Sequence, residues 1–341
     1  MKVLFDHPNP FLLAHGGFQI QIERTKQALE ELGIVVEWLR WWDDAQSGDL
    51  IHYFGVPTLS YLKFAKSKKT PVVLTHLLTS QCNRSRFQLF IQSIITRSLM
   101  KIPGWGVIKN QLNWQSLITA ELLVVGLDAE KNVLSKVFNI PRQRIAVVPL
   151  GLDDSFLQSA SSIRSSDALI CVGTITRRKN SAVLARLAKR AEVPILFVGK
   201  PYSDSDPYWI EFQELIDNRW VRHQSHVADP SAMLELLGTA RGAVIMSDYE
   251  NWCLAAHEAV ACGLPILLQD QNWSRERFGD QAHYFECIGF SSGNIEILKS
   301  FYEATPKLPS PKIKLYSWGE TAHHLQNLYD KILSLESIGK N

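Results

Sequence analysis

The sequence has few cysteines and no long apolar segment. Its 341 residues include five cysteines, an odd number, and none of them forms a Cys-x-x-Cys pair. This spacing argues against a zinc site or a disulfide framework, and it favours reduced core or loop residues in a cytosolic protein. No apolar run approaches the roughly 18–20 residues of a membrane span, and the first residues lack the apolar region of a signal peptide. We therefore expect a cytoplasmic protein without a transmembrane segment.

Acidic residues are missing from one long stretch. From Leu50 through Ala120 the chain has no Asp or Glu but nine Lys or Arg residues, although the net charge of the whole chain is only +2. A stretch of one sign creates a positive field that attracts anions. The alternative is a solvated face with this composition by chance, and the sequence leaves both interpretations open.

Short apolar runs alternate with helical patterns in both halves of the chain. Examples are KVLFDH, IVVEWL and PVVLTH in the first half, and ALICVG, PILFVG and LPILLQ in the second. A Ser-rich segment at 159–167, without periodicity, reads as the linker. The pattern predicts an α/β protein with two Rossmann-like, doubly wound domains of parallel strands. We place them at residues 1–160 and 161–320, facing a central cleft that would hold a ligand.

Residues 85–105 form an amphipathic pattern. Most of the apolar side chains fall on one helical face, and Arg97 and Lys101 lie off it. One interpretation is a helix on the surface of an anionic membrane, because aromatic and basic residues suit lipid headgroups. The other is a helix that packs on its own sheet, which is the usual role of such a stripe.

Two glutamates, Glu250 and Glu258, flank a predicted helix start in the stretch YENWCLAAHEAVACG. Glu250 follows a predicted strand, and the backbone amides of Trp252, Cys253 and Leu254 lie where the helix begins. Such amides and the helix dipole favour an anion. Carboxylates that flank them would suit the hydroxyl groups of a sugar phosphate ester. The common alternative is an exposed glutamate at a helix start together with a solvated one.

The stretch with the two glutamates and the following EAVACGLPIL resembles the retaining glycosyltransferases of family 4, also called group 1, which have the GT-B fold. Other segments agree in order: AHGGFQIQIERTKQALEELG, VVLTHLL, VGLDAEKNVLSKVFNIPRQRIAVVPLGLD, CVGTITRRKN, ILFVGKP and YSWGETAHHLQNLYDKIL. The resemblance covers essentially the whole chain. It implies an acceptor domain, then a nucleotide-sugar donor domain, and a C-terminal helix at 321–341 that packs back on the first domain.

The resemblance implies a role for each matching residue. Glu250 would bind hydroxyls of the donor sugar, Glu258 the ribose hydroxyls, and Lys179 the diphosphate, where a cation stabilises the charge that grows on the leaving nucleotide. His76 would lie near the reacting carbon, so Glu250, His76 and Lys179 are the expected catalytic residues. The remaining donor-binding residues would be Gly16, Gly17, Gly173, Arg178, Trp252, Cys253 and Leu254.

Each short motif also has an ordinary structural interpretation. Gly16 and Gly17 alone are typical of a turn, TRRKN of a solvated basic turn, and His76 of a core histidine with satisfied hydrogen bonds. Asp204 and Asp206 precede a proline, which indicates a turn and a helix start rather than a metal site. We expect no metal and no cofactor.

The sequence departs from the family pattern at three places. Asn251-Trp252-Cys253 stands where the family has Gly-Phe-Gly, which predicts a bulkier sugar pocket. Thr174 replaces an arginine after the donor-strand glycine, a loss that Arg177 or Arg178 would have to compensate. Leu150 replaces an asparagine before the hinge glycine.

The resemblance therefore implies a retaining enzyme of the hexosyltransferase type, with UDP as the nucleotide and no nucleic-acid partner. The acceptor would be a saccharide or a lipid-linked saccharide, in polysaccharide assembly at the inner face of the plasma membrane. Two alternatives stay open. One is a sugar-nucleotide epimerase of the same fold, and the other is a non-catalytic sugar-nucleotide-binding partner subunit, which the missing arginine would suit.

Overall fold

The computed structural model describes residues 1–12, 16–76, 80–101, 113–159, 163–286 and 289–338. The chain forms two compact units. Unit 1 comprises residues 1–12, 18–151 and 318–341, and unit 2 comprises residues 13–17 and 152–317. Each unit has its own sheet and its own hydrophobic core.

Unit 1 is built on six parallel strands in the order β2-β1-β3-β4-β5-β6. The strands are β1 Lys2–Asp6, β2 Val35–Trp38, β3 Leu50–Phe54, β4 Val72–Thr75, β5 Leu122–Val125 and β6 Ile145–Val147. The central strands β3, β4 and β5 are buried along their whole length, because helices cover both faces of a parallel sheet. The helices are α1 Gly17–Glu31, α2 Leu59–Ser67, α3 Arg86–Lys101, α4 Trp114–Thr119, α5 Asp128–Phe138 and α13 Trp318–Ile338, with 3₁₀ turns at Ser80–Asn83 and Arg142–Arg144.

Unit 2 repeats this architecture with the order β12-β11-β10-β7-β8-β9. Its strands are β7 Leu169–Val172, β8 Ile195–Val198, β9 Val221–Gln224, β10 Ala243–Ile245, β11 Ile266–Gln269 and β12 His283–Phe285. Its helices are α6 Asp154–Leu157, α7 Ser181–Ala191, α8 Pro207–Gln213, α9 Pro230–Thr239, α10 Leu254–Ala261, α11 Asn272–Phe278 and α12 Ser292–Ala304, with 3₁₀ turns at Arg177–Lys179 and Gly279–Gln281. In both sheets the strand order reverses beside a central strand, and ligands of doubly wound folds bind at the carboxyl ends of strands at such points.

The predicted fold class is confirmed: both halves are α/β with parallel, doubly wound sheets. The division between the units, however, falls between Gly151 and Leu152, earlier than the predicted 160–161. The reason is that Leu152 donates its N–H to the Tyr316 carbonyl at 2.8 Å and bridges Ser317. The predicted boundary itself lies among residues 160–162, outside the described residues.

The C-terminal helix α13 belongs to unit 1 and begins at Trp318, three residues before the predicted start. Tyr329 is fully buried, and its hydroxyl lies 2.5 Å from Nδ1 of His52 on β3. Nε2 of the same imidazole lies 2.6 Å from Oγ1 of Thr75. Burial lowers the pKa of His52 to about 3. A neutral imidazole therefore joins β3, β4 and α13 through buried hydrogen bonds.

Candidate functional site

In the loop after β7, the side chain of Lys179 packs against Gly173. Gly173 has φ +153°, and a Cβ at this position would lie 3.4 Å from Cε of Lys179. The neighbouring Gly199, at the end of β8, approaches so closely that a Cβ there would collide with the Gly173 carbonyl. The two glycines therefore allow the ends of β7 and β8 and the Lys179 side chain to lie together.

Asn180 connects this loop to the loop after β10. The residue ends the 3₁₀ turn Arg177–Lys179 with φ +53°, a conformation that asparagine tolerates. Its Nδ2 donates to the Met246 carbonyl at 2.9 Å and to Oδ1 of Asp248 at 2.6 Å. The Asp248 N–H donates in turn to the Arg178 carbonyl at 2.9 Å. The basic turn and the acidic loop are thus held in a fixed register.

Two cationic side chains contact the same carboxylate oxygen of Glu250. Nζ of Lys179 lies 2.5 Å from Oε1, and NH1 of Arg178 lies 2.8 Å from the same atom. The Arg178 guanidinium also donates to the Tyr249 carbonyl at 2.8 Å. Glu250 is buried, which by itself would raise the pKa of its carboxyl group. The charges of Lys179 and Arg178 more than offset this effect, and the pKa lies below its ordinary value.

The start of α10 lies directly after this carboxylate. Cys253 precedes the helix with φ +62°, and its side chain makes no capping hydrogen bond. Its carbonyl accepts the Ala256 and His257 amides. The first amides of the helix, at Leu254 and Ala255, therefore have no side-chain cap from Cys253. Within the described residues, this helix start has no capping hydrogen bond from its N-cap side chain, and with two cations nearby it is a favourable environment for an anion.

The Trp252 ring lies in the interior of unit 2. It is 2% exposed and stacks on the His257 ring, with centroids 4.8 Å apart and an interplanar angle of 12°. Arg277 lies on α11, and its guanidinium is 3.9 Å from the centroid of the Trp252 ring. The indole therefore adds its bulk to the contact between α10 and α11.

Glu258 has a different environment from Glu250. It lies inside α10 and is half-buried. Burial, with the charge of Asp153 as a second cause, raises the pKa of Glu258 to about 7. The two glutamates of the predicted pair therefore differ: Glu250 is ionised and paired with cations, whereas Glu258 holds its proton up to near-neutral pH.

Thr174, which stands where the related family has an arginine, faces the glycine loop. Gly16 has φ +108°, and a Cβ there would lie 3.1 Å from Oγ1 of Thr174. Gly17 has an open surrounding at the position of a Cβ. Of the two neighbouring arginines, Arg178 joins Glu250, whereas Arg177 lies over the Tyr208 ring at 5.3 Å from the centroid.

His76 lies in unit 1, at the carboxyl end of β4. Its N–H donates to the Val124 carbonyl at 2.8 Å. Burial lowers the pKa of the imidazole to about 4, so the ring is neutral. Within the described part of the chain, Nδ1 is buried without a hydrogen-bond partner. The sequence interpretation of a core histidine with satisfied hydrogen bonds therefore does not describe His76.

Asp206, the residue before Pro207, has a structural role. Asp206 caps α8, because its carboxylate accepts the Tyr208 N–H at 2.9 Å. In the six described ranges, no group of three or more His, Cys, Asp or Glu side chains is arranged to hold a metal ion. The absence of a metal from the reaction stays a prediction.

Sequence reasoning missed the residues that hold the site together. Asn180 and Asp248 fix the register of its two loops, and Arg277 holds the Trp252 ring. Asn180 is the last residue of the quoted basic turn TRRKN, and asparagine is one of the few residues that tolerate the left-handed conformation. Arg277 is 25 residues from Trp252, and no local pattern relates them.

Comparison with known proteins finds glycosyltransferases that are similar to this chain. The model of the family "Glycosyl transferases group 1" matches residues 157–287, which include the whole site of unit 2. This match covers less than half of the chain. An Escherichia coli relative, O-antigen chain mannosyltransferase B, is 23% identical over 63% of the chain. That match covers 62% of the relative's length, which is less than two thirds.

Solved structures show the same fold over the whole chain. Sucrose-phosphate synthase from Thermosynechococcus elongatus superposes with a TM-score of 0.67 at 15% identity, covering 98% of this chain and all of that one. Anabaena Alr3699/HepE in complex with UDP and glucose gives 0.65 at 13% identity, with 96% and 99% covered. WaaG, a glycosyltransferase involved in lipopolysaccharide biosynthesis, gives 0.58 at 15% identity, with 98% and 99% covered. The predicted GT-B resemblance is confirmed.

One further surface bears on function. The helix α3 turns Leu89, Ser93 and Thr96 inward, and two of these three are polar. Its apolar stripe faces outward, with Phe87 and Phe90 exposed by 70% and 61% and three isoleucines also exposed, Ile91, Ile94 and Ile95. The stripe therefore does not pack on the sheet, one of the two interpretations of the sequence. Ile102 and Trp105, part of the same prediction, lie outside the described residues.

Proposed function

We propose that the chain transfers a sugar from a nucleotide-diphosphate donor to an acceptor hydroxyl and keeps the anomeric configuration. The observation that carries this proposal is the contact of Lys179 and Arg178 with the Glu250 carboxylate beside the uncapped start of α10. The cluster combines two features that a sugar nucleotide requires. Cations and helix amides would bind the diphosphate, and a carboxylate would accept hydrogen bonds from sugar hydroxyls.

The ligand-free cluster is already organised for this exchange of partners. When a diphosphate arrives, Lys179 and Arg178 would turn their charges to its oxygens, and Glu250 would be left to accept hydroxyl protons. The carboxylate is ionised, because its pKa is lowered by the two cations despite burial. Each partner lost within the cluster is thus replaced by one from the donor, so binding leaves no buried charge unpaired.

The reaction follows from the charge that develops in it. The acceptor oxygen would form a bond to the anomeric carbon on the face from which the phosphate oxygen departs, and the acceptor proton would pass to that phosphate oxygen. Negative charge grows on the leaving diphosphate, and Lys179, Arg178 and the α10 amides would stabilise it. In this scheme Arg178 supplies the charge that the family arginine would give at Thr174.

UDP is the proposed nucleotide, with Glu258 as the acceptor for the ribose hydroxyls. The support for UDP is that solved structures of Anabaena Alr3699/HepE, which share this fold, are complexes with UDP, UDP-glucose, or UDP and glucose. In unit 1, His76 would lie near the reacting sugar carbon as a neutral group, as its lowered pKa requires.

The acceptor is proposed to be a lipid-linked or polysaccharide precursor on an anionic membrane. The outward apolar stripe of α3 and its exposed Arg86, Arg97 and Lys101 support this, since such a face suits acyl chains and anionic headgroups together. Further support for a polysaccharide acceptor is that the E. coli relative is named an O-antigen chain mannosyltransferase and that WaaG is involved in lipopolysaccharide biosynthesis. No helix within the described ranges is both long enough and apolar enough to span a membrane.

The test is a panel of nucleotide sugars incubated with an extract of lipid-linked and soluble saccharides, with release of free nucleotide and transfer of labelled sugar as readouts. One UDP-sugar should be turned over, and Glu250→Gln should reduce the rate by about 100-fold or more. The matched control is Glu235→Gln, an exposed glutamate on α9. Product from donor alone would indicate an epimerase instead, and donor binding without any turnover would indicate a non-catalytic binder.

A further inference from the structure

The loop between β2 and β3 carries two adjacent tryptophans that face solvent. Trp41 is 71% exposed and Trp42 is 83% exposed. Tryptophan is highly buried on average, because its ring is the largest apolar group that a protein has to cover. Two exposed neighbours of this kind are therefore a feature that the fold alone does not require.

The loop that presents them is fixed by its own hydrogen bonds. The Arg40 guanidinium donates to Asp43 at 2.9 Å and to Glu37 at 3.0 Å, and the Arg40 N–H donates to Oε1 of Gln46 at 2.8 Å. Nε2 of Gln46 donates to Glu37 and to the Trp38 carbonyl, both at 3.0 Å. The exposure of the two rings is thus built into a braced loop, and a ligand that stacks on them loses little freedom of the loop.

Trp41 and Trp42, together called the tryptophan platform, lie at the carboxyl edge of the sheet of unit 1, where ligands of such folds bind. Asp6, the last residue of β1, is buried and accepts from the Tyr61 hydroxyl at 2.8 Å and from Nε1 of Trp41 at 3.4 Å. The Trp41 and Tyr61 rings lie 6.3 Å apart. One edge of Trp41 is therefore held by the end of β1, while its face stays open.

The charge around the platform selects the kind of ligand. Residues 37–49 contain Glu37, Asp43, Asp44 and Asp49 against Arg40, and Lys2 pairs with Glu37 at 2.8 Å, so four acids face two cations. An anionic membrane would be repelled by this composition, in contrast to the basic, acid-free stretch that includes α3. A neutral, hydroxyl-rich molecule suits it, because carboxylates accept hydrogen bonds from hydroxyls.

We propose that Trp41 and Trp42 form a stacking subsite for pyranose rings of a saccharide acceptor, with the exposed carboxylate of Asp44 at its rim. The C–H face of a pyranose is apolar and packs flat on an indole, while its equatorial hydroxyls point outward to the carboxylates. This inference rests on the proposed function, which it deepens by naming the acceptor class that unit 1 holds. Two adjacent rings would contact two successive sugar units.

The experiment uses the full chain and a panel of neutral, soluble oligosaccharides of two to six glucose, galactose or mannose units. Saturation-transfer NMR should detect binding of at least one of them to the native protein. The double variant Trp41→Ala/Trp42→Ala should weaken that binding by about tenfold or more, and Trp→Phe changes should restore part of it. Phe64→Ala is the matched control, since Phe64 of α2 is as exposed as Trp41, by 71%.

A second readout separates the two proposals. In transfer assays the double variant should raise the KM for the saccharide acceptor by about tenfold, while UDP affinity and acceptor-independent donor hydrolysis stay at native values. Failure of the native protein to bind UDP would reject the proposed function instead. The subsite is overturned if no oligosaccharide of the panel binds, if the double variant binds as the native protein does, or if the variant loses binding to phosphatidylglycerol vesicles but not to saccharides.

Discussion

At the scale of single residues, the site rests on two carboxylates that burial affects in opposite ways. Burial acts on both Glu250 and Glu258, but among the described residues only Glu250 has Lys or Arg groups within hydrogen-bond distance. Its pKa is lowered, whereas burial raises the pKa of Glu258 to about 7. A pair of equal side chains in one motif thus has two protonation states at neutral pH, set by environment.

The pH dependence of stability should carry the signature of Glu258. Its folded-state pKa of about 7 lies above the ordinary 4.5, so the folded protein keeps a proton that the unfolded chain releases. The stability contributed by the protonated group is complete below about pH 4.5 and is lost as the pH rises through about 7. In the native protein this group should lower the free energy of unfolding by up to about 3 kcal/mol as the pH rises. In Glu258→Gln this decrease should be absent. Urea denaturation at pH 5 and pH 8 measures it, and parallel pH profiles for both proteins would refute the assignment.

Some residues of the site were predictable from the sequence, and some of their contacts were not. The motif around Glu250 and the basic turn were found from the sequence, because helix starts, glycines and charges have local signals. That Arg178 and Lys179 share one oxygen of Glu250 was not, since this contact joins residues more than 70 positions apart. The inward ring of Trp252 was missed because its partners His257 and Arg277 lie on two different helices, whose packing no local pattern predicts.

At the scale of elements, the strands lie where the apolar runs predict them. The apolar stripe of α3, in contrast, faces outward and not toward the core. A short strand buried on both faces has one pattern, which the sequence displays directly. An amphipathic helix has two possible faces, and the sequence does not say which one meets the protein. In α3 the polar Ser93 and Thr96 face inward, and the aromatic face is left to solvent.

Membrane affinity should depend on that outward face. Replacing Phe90 and Ile94, both exposed, by serine should reduce binding to phosphatidylglycerol-containing vesicles by about tenfold or more, because buried apolar area contributes most of interfacial binding. The free energy of unfolding should change by less than about 0.5 kcal/mol. Co-sedimentation with vesicles is the measurement. The control Leu89→Ala, on the inward face, should instead lower stability by about 2–4 kcal/mol. Equal vesicle binding by the serine variant would exclude α3 as the contact.

The attachment of α13 to unit 1 makes a separate prediction. Tyr329→Phe removes the hydroxyl that lies 2.5 Å from Nδ1 of His52 and leaves this buried nitrogen without its partner. We expect a loss of about 1–3 kcal/mol in the free energy of unfolding. Tyr316→Phe, in unit 2, is the control and should have little effect. A fully stable Tyr329→Phe protein would show that the hydrogen bond does not hold the helix.

At the scale of the whole molecule, two units of the same architecture carry different chemistry. Unit 2 holds the glutamates, the basic turn and the family match, whereas unit 1 holds the outward stripe of α3 and the tryptophan platform. The alternation of strands and helices predicted both folds. The chain leaves unit 1 after Gly151 and returns to it at Trp318, and the sequence analysis put both positions later in the chain. The crossing depends on the Leu152 contacts with residues 316 and 317, which no local pattern predicts.

The division of labour should be visible in hydrogen exchange. Saturating UDP should protect backbone amides at residues 173–180 and 250–258 of unit 2, because its phosphates would bind there. At 100 times its Kd, UDP should stabilise the protein by about 2.7 kcal/mol. The double variant Trp41→Ala/Trp42→Ala should show the same protection. UDP-dependent protection confined to unit 1 would contradict the placement of the donor.

The most direct test of the central claim is calorimetric titration of UDP and of the active UDP-sugar into three proteins. Arg178→Gln/Lys179→Met should bind UDP at least about tenfold more weakly than the native protein, because charge-assisted contacts to the diphosphate are lost. Glu250→Gln should bind UDP at least as tightly as the native protein but gain no extra affinity from the sugar. Native UDP affinity in the double variant, or an unchanged preference for the UDP-sugar in Glu250→Gln, would contradict the account.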